Sequence, residues 1–264
     1  MTSIKRVMIV GCPRSGTTLL QSILSAHKEV FSLPETHFYP QLCSSNPFFR
    51  HFGLSTRTAR NNLKQIGKDY LDKKINTSLL TKKLSQSFLE TLDQASQIRG
   101  KSTWIEKTPQ NLWFLSFIKS ITKDIYFIHI EREPKDVIAS IHYASTKHPD
   151  SWGYQNIDHC ISLYKESKKF NDQYRSTESH YFCKYEELAS DPPSVIKCIL
   201  KFCQLEFYED LLLDYKKSRN FISRKSDLWT SGISSEIKLQ ESRFYKHFPE
   251  EDQNYILNKL DKLS

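Results

Sequence analysis

Val7-Met8-Ile9-Val10-Gly11-Cys12-Pro13-Arg14-Ser15-Gly16-Thr17-Thr18-Leu19-Leu20 decides the reading of this chain. The apolar run reads as a strand, the glycine-bounded stretch as a tight turn, and Leu19-Leu20-Gln21-Ser22-Ile23-Leu24 as the start of a helix. Strand, turn and helix N-terminus in succession make an anion cradle, because free backbone N–H groups and the positive helix end point at one place. The spacing is the G-x-x-x-x-G of a P-loop, but Thr17-Thr18 stands where Lys followed by Ser or Thr is expected. A nucleoside triphosphatase uses that lysine on the β- and γ-phosphates. Its absence argues against ATP or GTP and for a nucleotide with less charge at that end. Arg14 supplies a cation from within the loop.

Outward from the cradle, the pattern predicts a strand over 5–10, a helix over 17–27, a loop over 28–36 and an aromatic stretch, His37-Phe38-Tyr39-Pro40. Residues 55–97 are polar and helical in character, starting near Thr58, with Leu79, Leu80, Leu84, Phe88, Leu89 and Leu92 at helical spacing. A short strand, Trp104-Ile105-Glu106-Lys107, runs into Thr108-Pro109, and the proline opens a helix over 109–120. The strand 125–130 has the pattern of burial on both faces, followed by helices over 134–145 and 155–175. Tyr181 to Tyr185 is a further strand, and Asp191-Pro192-Pro193 caps a helix over 192–203. Strands alternating with helices imply an α/β fold with a P-loop-like central parallel sheet covered by helices on both faces. No repeat, low-complexity segment or linker divides residues 1–264, so a single domain is expected. A ligand belongs at the carboxyl ends of the strands, where the cradle, Lys107 and Arg132 all emerge.

Composition narrows the class. Of the 264 residues 38% are hydrophobic and 12% aromatic, and the mean hydropathy of −0.55 is that of a water-soluble chain. No apolar run approaches the ~20 residues of a membrane span. The first strand begins within six residues of the start, which leaves no room for a signal peptide or an anchor. The six cysteines form no C-x-x-C pair and no ligand grouping with histidine, so no metal is expected and they read as reduced thiols of a cytoplasmic protein. The net charge of +8 suits an anionic ligand. No nucleic-acid-binding module accompanies it, and a nucleic-acid partner is not expected.

Two motifs together identify a family. Pro13-Arg14-Ser15-Gly16-Thr17-Thr18-Leu19-Leu20 resembles the 5′-phosphosulfate loop of the sulfotransferases that use 3′-phosphoadenosine 5′-phosphosulfate (PAPS). More than a hundred residues on, the strand Ile125 to Ile130 is followed by Arg132 and, eight positions later, Ser140, which resembles that family's 3′-phosphate motif. The resemblance runs from residue 7 to about residue 250 and is weakest between 41 and 100. It implies PAPS as donor, 3′,5′-adenosine bisphosphate as product, and no metal. It places Arg14, Ser15, Gly16, Thr17 and Thr18 on the 5′ end of the nucleotide, and Arg132 and Ser140 on the 3′-phosphate, the arginine as a forked donor.

Sulfuryl transfer must remove the acceptor proton and neutralise charge on the leaving oxygen. Glu35, 21 residues after Arg14 and before a threonine, matches the catalytic glutamate of the protein-tyrosine sulfotransferase branch and is the first choice for the base. His37 is the second, since cytosolic relatives use a histidine; otherwise it is a supporting or acceptor-pocket side chain. Lys107, in Glu106-Lys107-Thr108-Pro109, resembles the family's catalytic lysine, which stabilises the bridging oxygen. Tyr185 is either the strand-end tyrosine near adenine or a core aromatic. Ser231 and Lys238, with Trp229 and Arg243, are the counterpart of the segment that covers the nucleotide, or else belong to a surface loop. Asp136 reads as a helix-start carboxylate.

His37, Phe38, Tyr39, Phe48, Phe49, His142, Tyr143, Trp152 and Tyr154 are candidates for an aromatic acceptor wall. A soluble enzyme acting on a hydroxylated small metabolite or natural product is the leading expectation; oligomeric state is not legible. Two other classes stay open. A P-loop kinase or nucleotidase would need the Walker lysine and a magnesium carboxylate after strand 125–130. A non-catalytic nucleotide-binding protein would keep the cradle and turn Glu35 and Lys107 away from it.

Overall fold

The computed structural model describes residues 4–43, 51–213, 237 and 241–261. Among the described residues five strands, β1 (Lys5–Val10), β2 (Val30–Ser32), β3 (Thr103–Lys107), β4 (Tyr126–Glu131) and β5 (His180–Lys184), pair in parallel in the order β2-β3-β1-β4-β5. Parallel strands need crossovers, and helices provide them: α1 (Thr17–Leu24), α2 (Phe38–Leu42), α3 (Arg57–Leu71), α4 (Thr81–Ile98), α5 (Leu115–Ile121), α6 (Pro134–Lys147), α7 (Pro149–Trp152), α8 (Ile157–Asp172), α9 (Tyr185–Ser190) and α10 (Pro192–Phe202). The chain then returns as α11 (Phe244–His247) and α12 (Glu250–Asp261).

Burial on both faces explains the unbroken apolar runs. On β1, Met8 and Val10 pack with Phe31, Trp104 and Phe127 under α2 to α5, while Val7 and Ile9 pack with Ile105, Ile128 and Ile130 under α1, α9 and α10. A third cluster joins Cys12 to α6, α8, α11 and α12 through Val137, Ile141, Ile161, Phe244 and Ile256. All six cysteines are free thiols, and burial pushes Cys12 up to about 12, so it packs rather than reacts. Among the described residues no helix is long and apolar enough to cross a membrane.

The expected fold class holds, and the boundaries differ in instructive places. The stretch 28–36, expected as a loop, contains β2, whose three residues pair with β3 at the sheet edge. The helical region 55–97 is two helices. Asp72, in the left-handed conformation, ends α3, and Leu79 and Leu80 precede α4 as exposed residues, Leu80 bridging to Leu54. The helix expected from Pro109 begins as a 3-10 turn, Pro109–Phe114, before α5. Helix α1 stops at Leu24 rather than 27, and α8 covers 157–172 rather than 155–175. Tyr185 begins α9 instead of ending β5.

Candidate active site

The loop between β1 and α1 leaves the sheet at its centre, where β1 has β3 on one side and β4 on the other. Arg14 takes a left-handed backbone, φ 73°, and Gly16 another, φ 99°, so that the chain turns sharply into α1. Among the described residues no side chain caps the first turn of α1. Its backbone donors and positive end therefore face the mouth of the loop. Gly16 admits nothing larger: a Cβ there would sit 2.5 Å from Cδ2 of Tyr185. Ser15 and Thr17 are buried in the loop beside it.

One end of the site is a buried ammonium. Lys107, 2% exposed, leaves the carboxyl end of β3 and donates from Nζ to Thr18 Oγ1 at 3.1 Å and to the Glu35 carboxylate. The lysine missing from the loop is delivered from the neighbouring strand. Glu35 Oε2 lies 3.4 Å from His37 Nε2, so Glu35 stands between a cation and an imidazole.

The other end is a cluster of arginines. Arg14 Nε donates to Ser140 Oγ at 3.2 Å, and its guanidinium lies over the Trp152 ring. Arg132 donates from Nη1 to the Arg14 carbonyl at 3.3 Å and stacks on Tyr185 at 4.4 Å. Its buried Nε has no partner among the described residues. A buried guanidinium N–H without an acceptor is costly, and a ligand oxygen is the natural way to satisfy it. Burial, then the nearby Arg243 and Arg132, hold the Arg14 guanidinium down to about 10, well below its ordinary value. Arg243 is brought in because residues 242–247 clip along α6: Ser242 donates to Asp136, Arg243 lies over Tyr143, and His247 Nε2 is 2.8 Å from His142 Nδ1. Three guanidinium groups close enough to repel one another favour a bound anion.

The sequence-predicted residues thus separate cleanly. Glu35, His37, Lys107 and Thr18 come together at one end, and Arg14, Arg132, Ser140 and Tyr185 at the other, with the glycine turn between. Ser231, Lys238, Trp229, Phe48 and Phe49 lie outside the described residues. Two members of the expected acceptor wall are corrected: Phe38 and Tyr39 are fully buried, Phe38 stacked on Phe88 and Tyr39 bonded to Ser85, so they are core and not pocket lining. Asp136 is a first-turn carboxylate of α6, as expected, and it also receives Ser242. Among the described residues no group of three or more His, Cys, Asp or Glu side chains is placed to hold a metal ion.

Sequence reasoning passed over Glu106. Its carboxylate is fully buried and accepts from Thr36 Oγ1 at 2.8 Å, Thr108 Oγ1 at 2.6 Å and Asn111 Nδ2 at 2.7 Å, and burial pushes it up from the usual carboxylate range. The available signal was a charged residue inside a strand with apolar neighbours, which demands partners. Asn62, which ties the Thr36 carbonyl to α3 at 2.6 Å, carried no such signal.

The family model described as the sulfotransferase family matches residues 6–210. An uncharacterized protein of Aquifex aeolicus (strain VF5) is 25% identical over 232 residues, which cover 83% of this chain and 28% of that one. The chain thus spans little more than a quarter of the length of that curated relative. Among solved structures, the sulfotransferase domain from the curacin biosynthetic pathway aligns over 99% of both chains with a TM-score of 0.63 and 18% identity. Mouse sulfotransferase SULT7A1, solved complexed with PAP, aligns over 98% of this chain and 84% of its own with a TM-score of 0.59 and 12% identity. Those two likenesses concern the fold; the match over residues 6–210, with the loop, β3 and β4 all inside it, decides the assignment, and the chain belongs to the sulfotransferase family.

Proposed function

We propose that this chain transfers a sulfuryl group from PAPS to a hydroxyl or amine of a small-molecule acceptor by in-line displacement. One observation carries the reading: a single glycine-bounded loop separates the pair of buried Lys107 and part-exposed Glu35 from an arginine cluster. That spacing suits a donor with an anhydride at one end and a separate phosphate at the other. PAPS supplies an activated sulfuryl group and a phosphate leaving group.

Glu35 takes the proton from the acceptor as its oxygen or nitrogen bonds to sulfur. Lys107 releases Glu35 to that task and donates to the bridging oxygen, on which negative charge grows as the S–O bond breaks. Thr18 and the open first turn of α1 hold the phosphosulfate end. Arg132 and Ser140 hold the 3′-phosphate, and Tyr185 fixes the orientation of the Arg132 guanidinium. Arg14, which the family resemblance assigns to the 5′ end, joins them instead, because its Nε is bonded to Ser140. His37 stays beside Glu35 as a hydrogen-bonding neighbour. The Trp152 ring beside Arg14 and the half-open imidazole of His37 leave an aromatic approach for an acceptor ring. The curacin-pathway domain, a biosynthetic relative in fold, supports a natural-product acceptor.

Calorimetry with 3′,5′-adenosine bisphosphate and with ADP tests the donor. The bisphosphate is expected to bind at least about tenfold more tightly than ADP, since charge-assisted bonds to one phosphate are worth that much. Arg132→Ala removes the difference. Equal affinity for the two nucleotides, or an Arg132→Ala variant that still prefers the bisphosphate, overturns the assignment.

A further inference from the structure

A chain of hydrogen bonds runs from one buried carboxylate to the backbone that carries the base. Glu106 Oε1 accepts from the hydroxyls of both Thr36 and Thr108. Each hydroxyl, its proton committed to Glu106, presents its lone pairs to a backbone amide. Phe38 N–H donates to Thr36 Oγ1 at 3.2 Å, and His37 N–H donates to Thr108 Oγ1 at 3.2 Å. Between those two amides His37 adopts a left-handed backbone, φ 50°, a conformation uncommon outside glycine that the hydrogen bonds on either side help to hold. Glu35 and His37 flank Thr36 on opposite sides of this turn and meet in space at 3.4 Å. The other carboxylate oxygen is anchored to Asn111 Nδ2, whose own Oδ1 is buried without a partner among the described residues.

We infer that Glu106 is the positioning residue of the reaction: through Thr36 and Thr108 it locks the turn at residues 35–38, and so holds the Glu35 carboxylate against Lys107. It rests on the sulfuryl-transfer reading for its catalytic consequence, while the locking of the turn stands on geometry alone. Strand β3 then does two things with adjacent residues. Lys107 points to one face and reaches the loop; Glu106 points to the other and fixes the base that Lys107 pairs with. Acceptor geometry, not charge, is what the turn requires. A glutamine at 106 keeps an oxygen for both threonines, and its amide can donate to Asn111 Oδ1 once that side chain turns over.

The test uses the full chain and four proteins: wild type, Glu106→Leu, Glu106→Gln and Thr36→Val. Two measurements are made on each: hydrogen exchange at the His37 and Phe38 amides, and turnover of PAPS with 4-nitrophenol beside the affinity for 3′,5′-adenosine bisphosphate. Glu106→Leu is expected to speed exchange at both amides about tenfold or more. It also lowers kcat about 100-fold, the scale of an ångström-sized displacement of a catalytic group. Bisphosphate affinity stays within about threefold of wild type, since the nucleotide residues lie on other elements. Glu106→Gln restores both amides and turnover to within about threefold of wild type. Thr36→Val, which removes one relay and leaves the fold's core volume unchanged, exposes Phe38 more than His37, and it decides the matter if Glu106→Leu does not fold. Wild-type exchange rates at both amides in Thr36→Val or Glu106→Leu overturn the inference. So does wild-type kcat in a folded Glu106→Leu. A wild-type protein that fails to bind the bisphosphate overturns the reaction instead, and the exchange pattern still judges Glu106.

Discussion

Gly16→Ala probes the junction of loop, helix and nucleotide in one atom. The methyl would lie 2.5 Å from Cδ2 and 3.2 Å from Cε2 of Tyr185, and the backbone there has φ 99°. The left-handed conformation costs an alanine about 1–2 kcal/mol, and forcing a methyl into a packed site costs about 1–3 kcal/mol more. The sum, about 2–5 kcal/mol, is a sizeable part of the ~5–15 kcal/mol that holds a domain folded. For a chain of this size it lowers the melting temperature by on the order of 10 °C. The effect does not stop at stability. Tyr185 has to move off, and Arg132 is stacked on Tyr185, so affinity for 3′,5′-adenosine bisphosphate falls with it. Gly100→Ala separates the two costs, because Gly100 has φ 65° and open space where its Cβ would lie. That variant should lose only about 1 kcal/mol. The assay is thermal melting of both variants with and without the bisphosphate. If Gly16→Ala melts no lower than Gly100→Ala, Tyr185 has room to yield, and the account of the loop as closed by that ring is wrong.

Further outcomes follow from the same geometry. Lys107→Met keeps bisphosphate affinity within a few-fold and loses roughly 10²–10³ in kcat, measured with PAPS and 4-nitrophenol; an unaltered rate would remove the lysine from the chemistry. Glu35→Gln loses roughly 10²–10⁴ in kcat with little change in bisphosphate affinity, if it is the base, whereas His37→Gln is expected to cost far less; the reverse ranking would make His37 the base. A third outcome concerns pH. His129 and His180, hydrogen-bonded at 2.8 Å on β4 and β5, are held down by burial, to about 4 and about 3. Both are neutral when folded, so the unfolded chain takes up their protons first. Stability is undiminished above the ordinary histidine range and is lost as pH falls from about 6.5 toward 4. Replacing His180 with Gln should flatten the acid limb by about 1.4 kcal/mol per pH unit, one proton's worth, in melting curves between pH 6.5 and 4.5. An unchanged limb would show that other groups govern it.

How much was legible in the chain depended on how local the signal was. The cradle, Lys107 and Arg132 were legible because each is a polar break at the end of an apolar run, where a parallel sheet must place its ligand. Strand β2 was not, since Val30-Phe31-Ser32 is too short to show a period and owes its conformation to pairing with β3. Phe38 and Tyr39 looked like pocket aromatics beside a candidate base. Only the packing of α4, which brings Phe88 and Ser85 over them, makes them core. The 3-10 turn after Pro109 carries Asn111, whose amide reaches Glu106, and no periodicity in the sequence announces that contact. Glu106 itself shows the limit most clearly: its partners are separated from it by 70 residues on one side and by two and five on the other, and no spacing rule links them.

The central place of β1 has a consequence for synthesis. Its neighbours are β3 and β4, so both of its hydrogen-bonding edges wait for residues 103–107 and 126–131. At roughly 5–20 residues per second, about 5–20 s pass between the making of the anion loop and the arrival of its first flanking strand. During that interval Val7, Met8, Ile9 and Val10 form an apolar ribbon with two open edges. A chain stopped before residue 103 would keep both edges open and should aggregate, whereas one carried through β4 has closed them. The strand that begins the site is the strand that must be chaperoned longest.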